Sequence, residues 1–205
     1  MAAGAVILAV GGETSVASRQ KYAGAPWLYD ITTGDIIGVK DPDGSEFFWS
    51  RQERIGSFYD TTDQTNTANT AKVVTINTTD ISAGVSIVSG SRITVDRAGV
   101  YNIQFSAQLE NSDVADQDIS VWFKKNGTDI DQSNTLVSVP SQHGGTPGHM
   151  VAAWNFWVSL SVTDYVEMYW STTHTGTSIQ AIPAQTGPVR PATPSVILTV
   201  NQVGA

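Results

Sequence analysis

Residues 92–109 read Arg-Ile-Thr-Val-Asp-Arg-Ala-Gly-Val-Tyr-Asn-Ile-Gln-Phe-Ser-Ala-Gln-Leu, two alternating runs on either side of Arg97-Ala98-Gly99. Tyr101, Ile103, Phe105, Ala107 and Leu109 fall on one face, and Asn102, Gln104, Ser106 and Gln108 on the other. A period of two is that of a strand with one face buried, so this stretch predicts antiparallel β structure. The pattern returns downstream: Trp154, Phe156, Val158, Leu160 and Val162 alternate, Thr163-Asp164 breaks the run, and Val166, Met168 and Trp170 resume it.

Working outward, strands are expected near 71–76, 85–88, 92–96, 100–110, 118–125, 135–139, 150–162, 165–172, 178–182 and 195–203. Turns fall at Gly90, Arg97–Gly99, Asn126-Gly127 and Thr163-Asp164. About ten short strands with this punctuation predict an all-β sandwich or jelly roll. Residues 60–70, Asp-Thr-Thr-Asp-Gln-Thr-Asn-Thr-Ala-Asn-Thr, read as a polar linker or long loop with no buried face. Before it, Trp27–Ile31, Asp35–Val39 and Glu46–Trp49 are short apolar runs separated by Thr33-Gly34 and Asp41-Pro42-Asp43-Gly44, which reads as a small β-meander. The expected division is 1–56, an N-terminal arm and β-hairpin module, and 57–205, the main β-domain.

Composition narrows the function. The 205 residues carry 11 Lys and Arg against 19 Asp and Glu, a net charge of −8, which disfavours a nucleic-acid partner. Cysteine is absent, so neither a disulfide framework nor a cysteine zinc site exists. Ala2–Val10 is apolar but about half the length that crosses a bilayer, and the first basic residue is Arg19. An extended arm is expected there, without membrane insertion.

The chemistry-bearing residues match no catalytic signature. His143-Gly-Gly-Thr-Pro-Gly-His149 lacks zinc spacing, and His174 stands apart from it. Glu110-Asn-Ser-Asp113-Val-Ala-Asp116-Gln-Asp118 concentrates oxygen ligands without a calcium-loop register and reads as a solvated turn. No Gly-x-Ser-x-Gly elbow, P-loop or dinucleotide fingerprint occurs. The chain is therefore expected to be no enzyme and to need no cofactor and no metal. Asn77-Thr-Thr and Asn126-Gly-Thr match a glycosylation triplet that arises readily by chance.

Three segments together resemble a known family. Ile93 through Ala98-Gly99-Val100-Tyr101 to Phe105 is similar to the Pro/Ala-Gly-x-Tyr-x-Phe core of C1q/tumour-necrosis-factor-like domains. Leu160-Ser-Val-Thr-Asp164-Tyr-Val166-Glu-Met168 resembles their Leu-x-x-Gly-Asp-x-Val-x-Leu turn, with Thr163 in place of Gly. Val121-Trp-Phe-Lys-Lys-Asn126-Gly127 resembles their Asn-Gly hairpin. The closing Phe-x-Gly-Phe of that family is replaced by Val196-Ile-Leu-Thr-Val. Joined to a short hairpin-rich N-terminal module instead of collagen, the pattern resembles virion proteins of tailed bacteriophages. That resemblance implies a homotrimeric jelly roll of about ten strands, located on the virion.

On this reading the trimer decorates or stabilises the capsid, as a cement protein or short head fibre docked on the major capsid protein or another virion protein. The alternative is a tail-fibre or receptor-binding module that recognises a host-surface glycan or protein, with the 140–150 and 172–190 loops as candidates. Aromatics on both sides of one strand point to a covered outer face, so Trp122, Trp157 and Tyr169 are expected at the trimer interface. Val6, Ile7, Leu8, Trp27, Tyr29, Phe47, Phe48 and Trp49 are expected to dock on the particle.

Overall fold

The computed structural model describes residues 54–204, together with three strands at 27–29, 36–40 and 46–48. The chain divides into two units, Met1–Gln52 and Glu53–Ala205. In the first, β1 (Trp27–Tyr29), β2 (Ile36–Lys40) and β3 (Glu46–Phe48) pair antiparallel in that order.

The second unit begins with β4 (Ile55–Asp60), β5 (Gln64–Thr65), β6 (Lys72–Val73), β7 (Thr78–Ala83), β8 (Val85–Val88), β9 (Arg92–Val95) and β10 (Gly99–Asn111). It continues with β11 (Gln117–Lys125), β12 (Thr128–Asp129), β13 (Thr135–Val139), β14 (Gly148–Leu160) and β15 (Tyr165–Thr172). Last come β16 (Thr177–Ile179), β17 (Gln185–Thr186), β18 (Val189–Arg190) and β19 (Val196–Gly204). The described residues contain no helix, and their ladders are antiparallel.

Two seven-stranded sheets and a two-stranded one, β17-β18, form this unit. Residues 100–107 of β10 pair with both β14 and β19, so those two strands flank it on opposite sides, and β4 and β7 extend the sheet beyond β19. The main order of this first sheet is β7-β4-β19-β10-β14. By the same reasoning β11 lies between β13 and β15, and the second sheet runs β8-β9-β15-β11-β13. The chain passes repeatedly from one sheet to the other, as β9 to β10, β10 to β11, β13 to β14, and β14 to β15.

The alternation in the sequence becomes the core. Tyr101, Ile103, Phe105, Ala107 and Leu109 of the first sheet are buried against Ile119, Val121, Phe123, Val166, Met168 and Trp170 of the second. Phe123 meets Phe105 edge-on at 5.9 Å and stacks on Phe156 at 5.6 Å, which joins the two layers directly. Gly99 is required where β10 passes β19: a Cβ there would lie 2.5 Å from the Gly204 carbonyl oxygen and against the Gln202 amide. Two residues on, the Tyr101 hydroxyl donates to the Arg97 carbonyl at 2.8 Å and ties the turn to the strand it launches.

Some expectations need correction. The boundary placed at 56/57 falls inside β4, whose Ile55 and Gly56 already pair with β19 and β7, while Arg54 bonds Asp96 at 2.6 Å. Residues 60–70 do have a buried side. Asp60 is buried and accepts from Thr62 N and Oγ1, and the buried Gln64 bridges both backbone groups of Thr75. Side-chain-to-backbone bonds fix this polar tract where apolar burial does not. Val162 lies in the turn after β14 rather than on the core face and is exposed, because Asp164 caps the Ser161 amide and ends the strand at Leu160.

Candidate functional site

Strand β14 is the feature that ordinary folding does not explain. It pairs with β10 along all of Gly99–Asn111, and among the described residues no strand pairs with its other edge. Met150 and Trp154 lie on the core-facing side, opposite Leu109 and Phe105, yet Trp154 is 55% exposed while Phe105 is 5% exposed. Phe123 packs on Phe105 and on Phe156 of β14, and Trp154, two residues before Phe156, stays largely bare. On the reverse side Val151 and Trp157 are 52% and 63% exposed. An aromatic of this size covers roughly 150–250 Å² when buried, so each face of this edge strand carries one half-bare indole with an exposed aliphatic neighbour.

Edge strands are ordinarily guarded by charge, proline or brevity. From Met150 to Leu160 this one carries no Lys, Arg, Asp, Glu or Pro. At its end Lys125 Nζ donates to the Ser159 carbonyl at 2.8 Å. The strand offers backbone hydrogen-bonding groups and apolar side chains together, the chemistry of a protein–protein contact.

The three residues expected at an interface separate into two places. Trp122 and Tyr169 are register partners on the outer face of the second sheet, with rings 6.0 Å apart. The Trp122 indole N–H donates to Asp129 Oδ1 at 2.7 Å, and Lys124 Nζ sits 4.6 Å above the Tyr169 ring and 3.2 Å from Asp129. The Trp122 bond first, and Lys124 second, hold the Asp129 carboxyl below its usual range. This cluster satisfies itself, and both rings are half-buried. Trp157 lies on the other sheet, paired with Asn102, and does not join them. Trp154, Met150 and Val151, exposed on the same strand as Trp157, were not among the residues expected at an interface.

For the docking residues, Trp27 and Tyr29 belong to β1 and Phe47 and Phe48 to β3. Val6, Ile7, Leu8 and Trp49 lie outside the described residues.

The remaining polar clusters serve the fold. His143 and Thr146 exchange backbone bonds of 2.9 and 3.0 Å, closing the glycine-rich segment into a tight hairpin with Gly144 and Gly145 at positive φ. His174 Nδ1 lies 3.3 Å from Asp113 Oδ2. Asp113 and Asp116 cap the amides of Val114 and Ser141, which uses the acidic 110–118 segment as turn structure. Among the described residues no three His, Cys, Asp or Glu side chains gather as metal ligands.

No protein-family model and no curated protein matches the chain.

Proposed function

We propose that the chain is a non-enzymatic structural protein of a tailed-bacteriophage virion, a homotrimer that decorates or stabilises the capsid. Its N-terminal module docks on the major capsid protein or another virion protein, and its jelly roll projects outward. The observation that carries this reading is strand order. The set β4-β19-β10-β14 and the set β9-β15-β11-β13, with the chain crossing between layers, support the jelly roll that the C1q/tumour-necrosis-factor-like motifs imply. The bare apolar edge at β14 supplies what a symmetric partner would cover.

In this account the work is mechanical. Three identical docking modules bound to neighbouring shell subunits raise avidity without any single strong contact. We put the trimer contact at Met150, Val151, Trp154 and Trp157, which are exposed, in preference to the Trp122–Tyr169 pair, which is already partnered within its own sheet. Co-sedimentation with particles of the phage that encodes it tests the docking. The full chain should pellet with them, and a variant truncated at Gln52, ahead of β4, should keep its β-sheet circular dichroism and stay in solution. Undiminished pelleting of the truncated chain rejects the docking role.

A further inference from the structure

We propose that a cleft between the end of β4 and residues 181–194 binds a neutral oligosaccharide, with Tyr59 as the stacking face and Asp63 as a hydroxyl acceptor. The cleft holds about 800 Å³, and its lining includes Tyr59, Thr61, Asp63, Pro183, Pro191 and Pro194. That volume lies in the range of small-ligand sites and admits a chain of a few sugar rings.

The walls are fixed in advance. Asp63 Oδ1 accepts the Ala181 amide at 2.7 Å, tying one wall to the other. Ile182 and Thr193 exchange backbone bonds of 2.9 and 2.8 Å and close the intervening loop at its base. Thr62 is bonded to the buried Asp60 through its amide at 2.8 Å and its hydroxyl at 2.5 Å. A site already ordered loses little entropy when a ligand enters.

A pyranose ring presents a face of C–H groups and a rim of hydroxyls. Tyr59 stands half-buried on the outer side of β4, between Ile197 and Thr78, and supplies an aromatic surface. Asp63 uses Oδ1 for Ala181, and Oδ2 takes no hydrogen bond from the described residues, which leaves an ionisable acceptor for a hydroxyl pair. No Lys, Arg or His lines the cleft, so phosphate, sulfate and carboxylate sugars meet only negative charge. An extended peptide would want backbone donors from the walls, and the prolines have none. β19 and β10 separate β4 from β14, so an occupied cleft and a covered β14 edge are compatible, and the inference does not depend on the trimer.

Saturation-transfer-difference NMR on the full chain tests it, with triacetylchitotriose, mannotriose and maltotriose as probes at about 5 mM, suited to weak binding. Transfer to at least one sugar is expected. Asp63→Asn keeps the acceptor for Ala181, and Tyr59→Leu keeps bulk on β4. Each should weaken binding about tenfold or more at an unchanged melting temperature. No transfer to any of the three sugars, transfer undiminished in either variant, or transfer to a proline-rich decapeptide in place of the sugars overturns the proposal.

Discussion

The Asn126 side-chain amide donates to Asp164 Oδ1 across 2.7 Å while its carbonyl oxygen accepts the Tyr165 amide at 2.9 Å. The turn between β11 and β12 and the turn between β14 and β15 are thereby one hydrogen-bonded unit. Two of the sequence segments that carry the family resemblance meet here. Asn126 and Gly127 occupy positive φ, the conformation a two-residue hairpin needs, so the side chain that staples the turns also suits its own backbone.

Replacing Asn126 with Asp turns a donor into a second carboxylate facing Asp164. Asn126→Asp should therefore melt below wild type at pH 7, with the gap narrowing toward pH 3 as the acids protonate. Thermal circular dichroism at the two pH values reads this, and a gap that ignores pH contradicts the repulsion.

Asp164 is held well below the usual carboxylate range, by its Lys125 hydrogen bond first, then by the Ser161 amide and the Asn126 amide. A folded-state value beneath the unfolded one means that ionised Asp164 favours the folded state above the unfolded value. The contribution is lost as pH falls from 3.8 through the folded value. Asp129 acts in the same direction. The melting temperature of wild type should fall through this acid window more steeply than that of Asp164→Asn, so the two curves converge at low pH. Parallel curves would show that the linkage is absent.

Tyr101 is fully buried, and its hydroxyl has one partner, the Arg97 carbonyl. Burial first, and Asp96 second, raise its ionisation above the ordinary value. Tyr101→Phe keeps the ring and removes the bond, which should cost about 0.5–1.5 kcal/mol in urea unfolding. A neutral substitution would mean that the turn is held by Gly99 packing and the Gln202 amide, which donates to Ala98, without the hydroxyl.

Phe123 joins the two sheets through ring contacts within their shared core. It is 1% exposed and contacts Phe105 and Phe156 at once. Phe123→Ala should cost about 3–5 kcal/mol, the transfer term plus the cavity left between two rings. A loss below about 1 kcal/mol would place the core's main contact elsewhere.

The fold was legible wherever one face of a strand is apolar without interruption. β10, β11 and β15 fall close to their expected positions because Tyr101–Leu109, Ile119–Phe123 and Val166–Trp170 alternate cleanly. β4 escaped because Gly56 and Ser57 dilute its pattern, leaving Phe58 as its large buried side chain. The 60–70 tract escaped because Asp60 and Gln64 are buried by hydrogen bonding, which has no hydrophobic period. At the candidate interface, alternation placed Trp154 on the inner face correctly. It could not reveal that Trp154 stays 55% exposed, since cover from the opposite sheet arises from pairing distant in sequence. Trp122 and Tyr169 show the complementary case: an outward aromatic has less need of another chain when its cross-strand neighbour is aromatic too.

The central claim is that the β14 edge is covered by further copies of the same chain. Light scattering coupled to size exclusion, on the full chain at about micromolar concentration, tests it most directly. The account predicts a mass three times the 21.9 kDa of one chain. Trp154→Ser combined with Trp157→Ser, which removes about 2 kcal/mol or more per anchor at each contact, should lower that mass toward one chain while leaving the fold intact. A wild-type mass of 21.9 kDa at this concentration would contradict the account.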